Sequence, residues 1–134
     1  MINHALETYP NECCGFIFGE DHIDGRKISE VHPTGNSREG DQRRRFEINP
    51  LDYLKAERYA LANDLTLVGI YHSHPDHPAV PSEHDLKQAV PFFSYIILSV
   101  EQDGVKHITS WQLDKNNQFQ EENILVENKI ETFK

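Results

Sequence analysis

The feature that most constrains this chain is Leu65-Thr66-Leu67-Val68-Gly69-Ile70-Tyr71, an apolar run rich in strand formers that leads straight into His72-Ser73-His74-Pro75. Such a run is predicted to be a β-strand, with His72 and His74 at its end. Residues two apart on a strand face the same side. Their Cα atoms would lie about 6.6 Å apart at roughly 3.3 Å per residue, which suits two rings converging on one Zn²⁺ with nitrogens about 2.0–2.1 Å from it. Pro75 biases His74 toward extended backbone and ends the ladder where a site would open.

A third ligand has to come from elsewhere, and Asp85 is the candidate. Pro81-Ser82-Glu83-His84-Asp85-Leu86 reads as a loop turning into a helix that runs to about Val90 and stops at Pro91. Two histidines and one carboxylate leave a fourth tetrahedral position for water, which separates a catalytic zinc site from a closed structural one. The competing reading is that Ser82 and Asp85 form a Ser-x-x-acid cap, with the hydroxyl taking an orphan amide and the carboxylate favouring the helix N-terminus. Ser82 can both cap and catalyse.

These residues resemble a known family. His72-Ser73-His74-Pro75, six further residues, then Ser82 and, after two more, Asp85 look like the signature of the JAMM (MPN-type) zinc metallopeptidases. The family's upstream glutamate is matched by Glu12 within Tyr9-Pro10-Asn11-Glu12-Cys13-Cys14-Gly15, and the stretch from Gly69 to Ala79 is similar to the small stand-alone bacterial members. The resemblance covers Ala5 to about Leu113. It implies that His72, His74 and Asp85 bind Zn²⁺, that Glu12 acts on the zinc-bound water, and that Ser82 helps hold the tetrahedral intermediate. It also implies a substrate class, the C-terminus of a ubiquitin-like sulfur-carrier protein, trimmed beyond Gly-Gly or freed of a thiocarboxylate adduct. Asn36 matches a polar residue that would touch an extended substrate or cap its own loop. Family members that cleave polyubiquitin carry insertions near the site, so that specificity is disfavoured. A non-catalytic scaffold or protein-binding domain, as in relatives that lose the ligands, is the alternative function.

The chemistry stands without the family name. Bulk water, with a pKa near 15.7, is a poor nucleophile, and coordination lowers that value to about 7, moving on the order of 12 kcal/mol of deprotonation cost onto the metal. A carboxylate such as Glu12 then shuttles the proton to the leaving amine, while the Ser82 hydroxyl opposes charge on the carbonyl oxygen. The rival is a Cys-His hydrolase using Cys13 or Cys14, which leaves the paired histidines and Asp85 without a joint purpose. Adjacent cysteines are poorly placed for an unstrained disulfide, so both are expected to be free in a reducing compartment, the cytoplasm. His4, His22, His32, His77, His84 and His107 read as surface residues or neighbours of the site.

Thirteen Lys and Arg against 22 Asp and Glu leave a net charge of -9, which repels phosphate backbones and argues against a nucleic-acid partner. The run Arg43-Arg44-Arg45 is read as a solvated loop or strand entrance rather than a site for an acidic partner. No stretch approaches the roughly 20 apolar residues of a membrane span, and the N-terminus lacks a signal-peptide core. The 134 residues are expected to form one mixed α/β domain with a charged tail from about residue 127, and the resemblance implies a central mixed sheet flanked by helices in the JAMM/MPN, cytidine-deaminase-like, architecture.

In detail, residues 2–8 are predicted helical, 14–19 and 27–31 strands about an Asp24-Gly25 turn, and 32–44 a polar loop. Asn49-Pro50 opens a helix toward Asn63 with Leu51, Leu54 and Leu61 at helical spacing. Residues 95–101 and 105–113 form a hairpin about Asp103-Gly104, and a short last strand follows Asn116-Asn117. Family members usually place a strand before the first helix. Here the helix starts at Met1-Ile2, so a sheet edge is expected to be missing and open to a partner or a second copy.

Overall fold

The structure, a computed structural model, describes residues 1–38, 40, 42 and 46–125; the Arg43-Arg45 run and the expected tail from about 127 lie outside them. The elements are α1 (Ile2–Thr8), β1 (Cys14–His22), β2 (Gly25–Thr34), α2 (Pro50–Ala62), β3 (Thr66–Pro75), α3 (Glu83–Gln88), β4 (Ser94–Glu101), β5 (Gly104–Leu113) and β6 (Phe119–Glu122). One six-stranded sheet runs β2-β1-β3-β4-β5-β6, so the chain that starts in a helix still builds a broad sheet, with β2 and β6 at its edges. Among the described residues only β3 and β4 pair in parallel. A parallel pair needs a crossover, and the segment between them carries α3 over the end of β3.

The sheet buries both faces. On one, Phe16, Phe18, Leu67, Ile70 and Tyr95 pack under Ala56 and Ala60 of α2. On the other, Ile17, Val68, Tyr71, Ile96 and Leu98 meet Ala5 of α1. Strict alternation from Leu67 would put His72 on the second face. The β1–β3 register instead shifts between Ile17↔Gly69 and Phe18↔Leu67, which leaves Val68 as an extra residue on β3. An extra residue flips every side chain beyond it, so His72 follows Ile70 onto the α2 face.

Three expectations are corrected. The α2 leucines do not face the core: Leu51, Leu54 and Leu61 are 64%, 43% and 86% exposed, while Ala56 and Ala60 are buried and Tyr53 and Tyr59 pack partly beneath. Small alanines let the helix approach the sheet and the tyrosine rings fill its flanks, so leucine spacing alone misread the inner side. The expected second strand of 27–31 extends over Gly25–Thr34, which shortens the polar loop; Pro33 is tolerated because β2 is an edge strand needing no outward N–H partner. Helix α3 stops at Gln88 rather than near Val90, with Ala89 already extended and Val90 N–H donating to Tyr95 Oη at 2.6 Å. Pro91 disfavours helical backbone at the residue before it. Asn49 caps α2 as expected, accepting from Leu51 N–H at 2.8 Å.

Candidate metal centre and active site

His72 and His74 leave the same side of β3 at its C-terminal end, and Asp85 reaches them from the first turn of α3. All three are buried. His72 Nε2 lies 3.1 Å from His74 Nε2 and 3.3 Å from Asp85 Oδ1, and His74 Nε2 lies 3.1 Å from Asp85 Oδ2. Two donors each about 2.0–2.1 Å from a tetrahedral zinc are about 3.3–3.4 Å apart. The three edges of this donor triangle are therefore close to those of one face of a zinc tetrahedron.

Protonation agrees with that fit. His74 Nδ1 meets Pro78 O at 2.8 Å; a carbonyl only accepts, so Nδ1 carries a proton and Nε2 is the ring atom that faces the triangle. Burial lowers the His72 pKa against the opposing pull of Asp85. For Asp85, burial pushes upward, but the charge and hydrogen bonding of His72, the His74 bond and the Ser82 backbone amide together hold its carboxyl well below the usual range. Release of the Nε2 protons beside an ionised Asp85 gives the state that binds a cation. His72 Nδ1 has no hydrogen-bond partner among the described residues. Its ring is oriented by Phe46, stacked at 4.5 Å between centroids and 27° between planes.

Both readings of Ser82 and Asp85 hold together. Ser82 Oγ accepts from Asp85 N–H at 3.1 Å and Asp85 Oδ2 accepts from Ser82 N–H at 2.9 Å, a reciprocal cap that fixes the carboxylate while it faces the histidines. The hydroxyl serves the cap as acceptor, so its own proton remains to be donated. Ser82 and Glu12 line a cavity of about 470 Å³ together with His74, His77, Pro78 and Val80. Glu12 is only 5% exposed, unusual burial for a carboxylate. All five residues picked from the sequence thus gather at one end of β3.

Other residues at the site were read differently or missed. Asn36 caps its own loop: its Oδ1 accepts from Arg38 N–H at 3.0 Å and Glu47 N–H at 3.1 Å, and its Nδ2 donates to Glu12 O at 3.3 Å. Phe46 was passed over, although it is the one large apolar residue between Thr34 and Ile48 and for that reason stands out. Ser73, wholly buried, bonds Cys13 through both its amide and its hydroxyl, and nothing in the sequence signals this. Cys13 and Cys14 are free and buried as expected. Burial raises both thiols, Cys14 to about 12, so neither is a ready thiolate for the rival mechanism.

Residues 1–114 match the family model described as prokaryotic homologs of the JAB domain. A desampylase of Pyrococcus furiosus is 33% identical over 116 residues, 87% of this chain and 76% of that protein. A probable TtuB-protein conjugate cleaving protease of Thermus thermophilus is 34% identical over 104 residues, 77% of this chain and 64% of that protein. The solution structure of a protein from Desulfitobacterium hafniense superposes with a TM-score of 0.82 at 31% identity, covering 98% of this chain and 88% of that one. By its sequence and by its fold, the chain belongs to the JAMM/MPN family, among the prokaryotic JAB-domain proteins.

Proposed function

We propose that this chain is a zinc-dependent hydrolase that cleaves a peptide, isopeptide or related acyl bond at the C-terminus of a ubiquitin-like sulfur-carrier protein. The observation that carries the reading is the buried donor triangle of His72, His74 and Asp85, with edges of 3.1–3.3 Å, opening on a cavity shared with Glu12 and Ser82. Relatives named for desampylation and for cleaving protein conjugates support a hydrolytic role and a protein substrate of this kind.

His72, His74 and Asp85 would hold the zinc, which when bound supplies a Lewis acid and an acidified water. Around it the chain's own groups divide the work. Glu12 takes the proton of the attacking water and returns it to the leaving amine. Ser82 donates its free hydroxyl proton toward the carbonyl oxygen as negative charge grows there. The wall of Pro78 and Val80 keeps one side of the cavity apolar, which strengthens both interactions by lowering the local dielectric.

Metal analysis of the purified protein tests the first half: about one zinc per chain is expected, and a metal-free wild type would favour the scaffold alternative. Incubation with carrier proteins extended beyond their C-terminal Gly-Gly, read by intact mass, tests the second. If every candidate keeps its mass, the carrier assignment is lost while the metal site stands.

A further inference from the structure

The peptide unit joining Glu12 to Cys13 is gripped at both ends by side chains from other elements. Its N–H, on Cys13, donates to Ser73 Oγ at 2.9 Å, and its carbonyl, on Glu12, accepts from Asn36 Nδ2 at 3.3 Å. On either side the grip continues: Glu12 N–H donates to Gln42 O at 2.6 Å and Ser73 N–H donates to Cys13 O at 3.1 Å. Glu12 lies between α1 and β1, outside any helix or strand, so no ladder sets its backbone. We propose that Ser73 and Asn36 are positioning residues whose clamp on the Glu12–Cys13 peptide aims the Glu12 carboxyl into the cavity, an inference that rests on the proton-carrying role given to Glu12 above.

Ser73 is suited to this by its place in the chain. It stands between His72 and His74 and, by strand alternation, points to the opposite face, where it is 0% exposed. A hydroxyl so buried needs partners, and the amide after Glu12 is one it accepts from. The strand that carries two metal ligands therefore also carries the tether of the proton carrier, and the spacing between them is set by one residue's geometry. Asn36 closes the other end while its Oδ1 accepts the amides of Arg38 and Glu47, so it ties the Glu12 peptide to the loop whose Phe46 stacks on His72. A misplacement of about 1 Å in a reacting group can cost roughly 100-fold in rate, so a clamp of this kind has a measurable effect.

Four variants test it, with a sulfur-carrier protein extended beyond its Gly-Gly as substrate: Ser73→Ala, Ser73→Thr, Asn36→Asp and Glu12→Gln. Asn36→Asp keeps an acceptor for Arg38 and Glu47 and replaces the donor to Glu12 with a carboxylate oxygen. Ser73→Ala and Asn36→Asp are expected to lower kcat about 10–100-fold, with KM within about 2-fold and zinc content as in wild type. Ser73→Thr, which restores the hydroxyl, should recover most of the rate. In a Glu12→Gln background neither substitution should lower the residual rate further, because both act through Glu12. A readout that needs no substrate is amide exchange of Cys13 by NMR, expected to be faster in Ser73→Ala than in wild type. Unchanged kcat in both variants, zinc loss in Ser73→Ala, unchanged Cys13 exchange, or additive losses on top of Glu12→Gln would each overturn the clamp. Full turnover in Glu12→Gln would instead overturn the reading of Glu12 itself, and is told apart because failure of the clamp alone leaves Glu12→Gln inactive.

Discussion

His72 and His74 reach the site from a strand paired on both sides, whereas Glu12 reaches it from a coil. For the histidines, β1 and β4 fix the backbone and alternation fixes the direction, so two candidate ligands arrive together from a three-residue stretch. For Glu12 the backbone is held by groups distant in sequence: Asn36, Gln42 and Ser73. A cluster able to bind a metal can thus be written into one strand and the helix cap that follows it, while the group proposed to move the proton depends on the fold being complete.

The sharpest way to break this contrast is to disable each half in turn. His72→Ala should lose metal and turnover together, with affinity falling by more than the roughly 10–100-fold that loss of an outer partner costs. Glu12→Gln should keep its metal and lose about 10²–10⁴ in rate, since only the proton carrier is gone. Metal content by mass spectrometry beside a cleavage assay separates them; a Glu12→Gln protein that also sheds its metal would erase the distinction between the halves.

Stability sharpens the comparison further. Phe46→Ala removes a ring that is 4% exposed and stacked on His72, so denaturant unfolding should show a loss of about 3–5 kcal/mol, as for other buried aromatic truncations. On the strand side, a Cβ at Gly69 would sit 2.0 Å from Ser94 O, a backbone atom of the parallel neighbour. Gly69→Ala should therefore cost at least the roughly 1–3 kcal/mol of an overpacked core, visible as a lower melting temperature. Leu61→Ser is the control: at 86% exposure it should stay within about 0.5 kcal/mol of wild type, and a large loss would mean that α2 packs by its leucine side after all.

The succession of elements was legible wherever local pattern and burial agree, as in the apolar run of β3, the Asp103-Gly104 hairpin and the Asn49-Pro50 helix start. It failed on α2, where three leucines outweighed two alanines in the pattern although the alanines face the sheet. It failed also at the end of α3 and along β2, whose limits depend on Tyr95 and on pairing with β1 rather than on their own residues.

By itself the sequence determined the candidate ligands, two histidines at strand spacing and a Ser-x-x-Asp helix start ten residues on, because period-two alternation and helix capping are local rules readable over a few residues; Glu12 was singled out by the family resemblance alone. Only the tertiary structure decided which face the histidines take, through the extra residue at Val68, and how Glu12 is held, through contacts 24 to 60 residues apart along the chain. Such contacts depend on strand register and loop closure, which arise from the packing of the whole sheet and leave no trace in neighbouring residues.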